Sequence, residues 1–139
     1  MITYEDCLNE GLIKKITSSI TQARSQMDKA NVLLEEAKKA VKNESPNAAV
    51  LAGYAAMFDA ARALLFKDGY RERSHACVAR YLEAKYSEKL DLAFIHLLDE
   101  YREKRHKVSY SSEYYPTIEE ARNLVEFAEK FLEKIEKYV

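Results

Sequence analysis

Apolar residues recur along this chain every three or four positions and nowhere alternate, which is the spacing of helices that each turn one face inward. Residues 3–9 predict a short first helix, interrupted by Gly11. From about Thr17 to Asn43, the positions Ile20, Ala23, Met27, Ala30, Leu33, Ala37 and Val41 lay a single apolar stripe along a long helix. Its other face carries Arg24, Asp28, Glu35, Lys38 and Lys42, which suit water. Ser45-Pro46 predicts a restart, because serine can cap free amides and proline is tolerated where no N–H is needed. The helix that follows, Pro46 to Lys67, is apolar almost all round, so it is expected at the centre of a bundle. Ala49, Ala52, Gly53, Ala56 and Ala60 would let its neighbours approach closely, and Gly69 supplies the stop.

Ser74 is placed to cap a helix over roughly 75–86, with Val78, Tyr81, Leu82 and Tyr86 inward. Another helix is expected from about Glu88 to Val108, with Leu90, Phe94, Leu97, Leu98 and Tyr101 on its core side. Thr117-Ile-Glu-Glu120 reads as a capping box, threonine answered three residues later by glutamate. It opens a last helix to Lys137 whose stripe is Ile118, Ala121, Val125, Ala128, Leu132 and Ile135. The fold class predicted is all-α, an antiparallel up-and-down bundle of four long helices plus one or two short ones. A chain of 139 residues is expected to form one domain over 1–139.

Composition sharpens this reading. Lys and Arg number 22 against 23 Asp and Glu, so no overall positive charge draws the chain to a polyanion and any such attraction must be local. No apolar run approaches the roughly 20 residues of a membrane span, and the N-terminus lacks a signal-peptide pattern. A cytoplasmic protein without membrane contact is therefore expected. Cys7 and Cys77 are too few for a disulfide framework and lack metal-ligand spacing, so both are expected as reduced thiols. There is no glycine-rich phosphate loop, no paired metal-ligand motif and no nucleophile elbow, so neither a metal site nor a cofactor is expected.

The most unusual stretch is 101–115, where Arg102, Lys104, Arg105, His106 and Lys107 crowd the end of a helix, followed by serines and tyrosines up to Pro116. A helix C-terminus attracts cations for purely structural reasons. In a nearly neutral chain, however, the concentration is local, and guanidinium groups in such a cluster suit phosphate. Asp59 and Arg62, three apart on the apolar central helix, can pair along one face, either as an internal ion pair or as charges lining a pocket. His75 opens a helix near Arg71, Arg73 and Arg80, where the positive helix end favours a neutral, hydrogen-bonded imidazole. His96 has nothing comparable near it in sequence.

Two stretches resemble the HEPN domain family (higher eukaryote and prokaryote nucleotide-binding). Tyr54-Ala-Ala-Met-Phe-Asp-Ala-Ala-Arg-Ala-Leu-Leu65, followed by Gly69 and Ser74-His75, is similar to the signature of its small stand-alone prokaryotic and archaeal branch. Arg105-His-Lys-Val-Ser-Tyr110 resembles that branch's second signature. The resemblance implies a helical bundle that forms a homodimer. Many members are metal-independent ribonucleases, often toxins paired with a minimal nucleotidyltransferase. Their motif is an arginine followed after four to six residues by a histidine; the histidine handles the proton of a ribose 2′-hydroxyl and the arginine steadies the phosphate. Here the residue five after Arg105 is Tyr110, and His106 lies only four after Arg102. A tyrosine is a poor general base at neutral pH. The expectation is thus a protein that binds a nucleotide, RNA or a nucleotidyltransferase partner through Arg105, Tyr110, Lys107 and Lys104, supported by Asp59, Arg62 and His75. The alternative is a metal-independent endonuclease using Arg102 or Arg105 with His106.

Overall fold

A computed structural model describes all of residues 1–139, and six helices take up 76% of the chain. In chain order the elements are α1 (Tyr4–Asn9), β1 (Ile13–Lys15), α2 (Ile20–Lys42), α3 (Pro46–Asp68), β2 (Tyr70–Glu72), α4 (His75–Leu90), α5 (Leu92–Tyr110) and α6 (Ile118–Glu136). The all-α bundle is as the periodicity predicts. Helix α3 is its axis. It packs along α2, α6 and α5, while α4 packs mainly on α5 and α1. Thirteen residues of α3 are buried, from Ala49 to Phe66. By length and composition α3 could cross a membrane, contrary to the expectation that no run is long enough, but its apolar surface is spent inside the bundle.

The small residues of α3 have the expected use. A Cβ on Gly53 would sit 2.5 Å from Leu124 Cδ2 and 3.4 Å from Val125 Cγ2, so glycine lets α6 lie directly against α3. Helix α2 contributes Ala23, Met27, Ala30, Leu34 and Ala37; its Ile20 is 70% exposed, so the buried stripe starts one turn later than the periodicity suggests. Thr117 and Glu120 form the predicted capping box on α6, and Ser19 caps α2 by accepting from Gln22 N–H. Ser45 and Ser74 make no side-chain cap bond. At α3 the proline at the first turn suffices, because it has no N–H to satisfy.

Three features depart from the sequence reading. The break expected near Ser87 falls at Asp91, because Tyr86 and Leu90, one turn apart, both bury in the core and carry α4 through. Asp91 takes a positive φ of 69° and its carboxylate accepts from Ala93 N–H, so it ends one helix and caps the next. A small antiparallel ribbon also joins β1 to β2, with Ile13 opposite Glu72, Lys14 opposite Arg71 and Lys15 opposite Tyr70. Strands of three residues are too short for alternation to be read. Gly69, at φ 86°, turns the chain out of α3 into the ribbon, and its carbonyl accepts from Ile16 N–H. Finally, Cys7 and Cys77, expected as reduced thiols, form a buried disulfide that ties α1 to the first turn of α4. Their sequence separation is 70, a distance no spacing rule could bridge.

This packing ranks the two glycines. Gly53→Leu should cost roughly 3 kcal/mol, because the added side chain enters a filled helix contact. Gly69→Ala should cost less, about 1–2 kcal/mol for an alanine held left-handed. Equal denaturation midpoints for the two would contradict the packing. Closing a loop as long as that between Cys7 and Cys77 should stabilise by about 4 kcal/mol, so reduction should lower the denaturation midpoint. The Cys7→Ala/Cys77→Ala variant should be insensitive to reductant. A wild type whose midpoint ignores reductant would show that the bond is not made.

Candidate functional site

The cluster at 102–107 lies on α5, and a helix turns about 100° per residue, so its cations point in different directions. Ile95 and Leu98 bury on the α3 side, and Arg102 and Arg105 continue that face one and two turns later. Arg102 Nε donates to Asp99 Oδ1 at 3.1 Å, and Arg80 donates to the other oxygen of the same carboxylate at 2.7 Å. Lys104 reaches the opposite way and bonds Glu120 at 3.0 Å. The Glu120 carboxylate also takes the Tyr114 hydroxyl and the Thr117 N–H, and its pKa is held down to about 2, first by that backbone bond and then by Lys104. His106 and Lys107 are exposed. Tyr110 ends the helix 71% exposed, its ring against that of His106.

Arg105 is placed differently. Its guanidinium lies over the Tyr54 ring, 5.9 Å from the centroid, and it makes no ion pair. It closes one side of a cavity of about 300 Å³ whose other walls include Tyr54, Phe58, Asp59, Arg62 and His75. Most of these come from one strip of α3. Leu51, Tyr54, Ala55, Phe58 and Arg62 recur at three and four residues, and neither α2 nor α6 covers this strip where it meets the start of α4. The structure therefore brings Arg105 together with Asp59, Arg62 and His75 and leaves Tyr110, Lys107, Lys104 and His106 outside the cavity.

Within the cavity the charges divide into committed and uncommitted. Arg62 donates to Glu72 at 2.7 Å, pairs with Asp59 at 3.8 Å, and lies over the rings of Phe58 and Phe66. Burial raises the Asp59 pKa, opposed by Arg62 and by Lys29. His75 packs its ring against Phe58, centroids 3.9 Å apart, and its Nδ1 lies 3.3 Å from the Tyr54 hydroxyl. Desolvation, followed by the positive charge of Arg105, lowers the His75 pKa, so the ring is neutral at pH 7. Burial also drives the Tyr54 hydroxyl far above the usual phenol range, so it stays protonated. The Tyr54 hydroxyl and Nδ1 can share a hydrogen in either direction, and Nε2 makes no hydrogen bond within the protein. Electrostatically the cavity is a cation with no counter-ion beside a neutral imidazole, backed by an aromatic wall.

The residues 23–138 match the model of the HEPN domain. The chain belongs to this family. No curated protein matches it. The matched region runs from within α2 to the end of α6 and contains every residue of the cavity, while α1 and β1 lie before it. Within this HEPN domain the arginine of the second signature, Arg105, thus meets the first signature's Tyr54, Phe58 and His75 across the helix packing. Tyr54 and Phe58 stand in the first signature but among no expected site residues, because a helix apolar all round offers no stripe to single out. Their spacing of four residues to each other and to Arg62 is the signal that marks one face.

His75 should titrate below its usual 6.5 in solution, and Arg105→Ala should move it back up. As pH falls through 6.5 the unfolded chain takes up a proton before the folded one, so this group's contribution to stability declines until the folded ring is also charged. A histidine titration by NMR, with the His75 signals assigned by substitution, checks the shift directly. A His75 pKa at or above 6.5 would contradict the geometry.

Proposed function

We propose that this HEPN domain binds the phosphate of a nucleotide or of RNA in the cavity between α3, α4 and α5, and that binding rather than cleavage is its main activity. The observation that carries this is Arg105, a guanidinium without a carboxylate at the mouth of an aromatic-walled cavity. Its fork suits two phosphate oxygens, the unpartnered Nε2 edge of His75 adds a donor when it carries the proton, and Tyr54 and Phe58 give a base a surface to stack on. Arg62, already neutralised by Glu72 and Asp59, shapes the floor. The residues of the endonuclease alternative are engaged or apart, Arg102 on Asp99 and His106 on the exposed face beside Tyr110. HEPN domains commonly dimerise. The exposed His106–Lys107–Tyr110 end of α5 is free for a partner copy or a nucleotidyltransferase.

Titration with a nucleoside monophosphate and with a labelled RNA tests this reading. Arg105→Ala should weaken binding by about 1.5–3 kcal/mol, the worth of charge-assisted bonds. His106→Ala and Tyr110→Phe should change it little. Affinity should rise as pH falls through the His75 titration, since a charged imidazole holds phosphate better. Cleavage of RNA in chelator that depends on His106, or binding indifferent to Arg105→Ala, would overturn it.

A further inference from the structure

The ribbon carries a second basin of positive charge that belongs to no helix of the bundle. Lys14, Lys15 and Ile16 on one side and Arg71, Glu72 and Arg73 on the other line a cleft of about 380 Å³. Lys14 stands directly opposite Arg71 in the ladder, and Arg73 shares that face two residues on. Like charges directly opposite one another destabilise a strand pair. Several cations of the helices, by contrast, are answered by carboxylates. Arg24 is paired with Glu136, Lys38 with Glu129, Arg80 with Asp99 and Lys104 with Glu120. Lys14, Lys15, Arg71 and Arg73 have no ion pair, and the only carboxylate in their cleft, that of Glu72, is taken by Arg62.

The cleft is also rigidly mounted. Arg73 N–H donates to Leu12 O at 2.8 Å and Ile16 N–H to Gly69 O at 2.9 Å, while the Cys7–Cys77 disulfide ties together the helices on either side of the ribbon. It shares no lining residue with the first cavity, but one ion pair joins their walls. Glu72 lines the cleft, its partner Arg62 lines the cavity, and the run Arg73-Ser74-His75 leads from one to the other. A row of unpaired cations that ends at an aromatic pocket fits a strand of linked phosphates carrying bases. An acidic peptide would have no use for the pocket.

We propose that the Lys14–Arg71 cleft is a second phosphate subsite, which takes the backbone of a single-stranded RNA whose adjoining nucleotide occupies the Arg105–His75 cavity. This rests on the phosphate-binding reading of that cavity and specifies its ligand as an oligonucleotide and not a mononucleotide. Two of the cations lie on β1, ahead of the residues that match the family model, and two, Arg71 and Arg73, lie within them.

Lys14 and Arg71 are exposed, so Lys14→Gln/Arg71→Gln should fold as the wild type does, which the melting temperature checks. Fluorescence anisotropy with a labelled single-stranded RNA of about ten nucleotides, over a range of salt, is the measurement, with AMP as the mononucleotide probe. The double variant should bind the RNA at least about tenfold more weakly, and its slope of log-affinity against log-salt should shrink by about 0.7 for each phosphate it no longer neutralises. Its affinity for AMP should be unchanged. Unaltered RNA affinity and salt slope would overturn the subsite while leaving Arg105-dependent AMP binding, and so the first reading, intact. Tripolyphosphate competing as strongly as the RNA would overturn the assignment to RNA. Loss of AMP binding only in Arg105→Ala, with loss of RNA binding in both variants, would support the two-site arrangement.

Discussion

Helix α3 presents apolar atoms on nearly every side, so it must be covered from all directions, and the arrangement of the other helices answers that need. Helices α2 and α6 cover two sides through small residues, with Gly53 admitting Leu124 to a distance that no side chain at that position would allow. Helix α5 covers a third side, but only in part. Its inward face begins with Ile95 and Leu98 and then becomes Arg102 and Arg105. Where the cover turns from apolar to cationic, the strip from Leu51 to Arg62 stays open, and that opening is the cavity. The pocket is thus a consequence of one helix changing character along its length.

Charge pairing then separates structure from chemistry. Asp99 holds Arg80 and Arg102 together between α4 and α5, Glu120 holds Lys104 to the cap of α6, and Asp68 accepts the hydroxyls of both Tyr81 and Tyr86. Each of these partly buried contacts leaves its donor satisfied, as a low-dielectric site requires. Arg105 and the four cations of the ribbon cleft have no such carboxylate. Both groups sit on concave surfaces, both flank the Arg62–Glu72 pair, and the chain's near-zero net charge makes them local features rather than a general excess. An anionic ligand is the partner we propose for them.

Much of the fold could be read in the sequence because periodicity, proline, glycine and the Thr117–Glu120 box act locally. The errors lie where a distant contact decides. Leu90 extends α4 because the core has room for it, Asp91 breaks the helix without glycine or proline, and Cys7 meets Cys77 through tertiary packing alone. At the site, Arg105, Asp59, Arg62 and His75 were legible one by one, but not their meeting place. Proximity in sequence hides the turn of about 100° that sends Lys104 away from Arg105, and Arg102, on the same side as Arg105, is taken by Asp99. The ribbon cations escaped notice because two short strands, far apart in sequence, become one basic surface only when Gly69 folds them together.

The central claim is that a phosphate is the partner Arg105 lacks. A crystal structure of the protein grown with AMP tests it most directly. The account predicts the phosphate within hydrogen-bond distance of the Arg105 guanidinium and of His75 Nε2, with the base against Tyr54 or Phe58. A nucleotide held instead by His106, Lys107 and Tyr110, with the cavity empty, would contradict it.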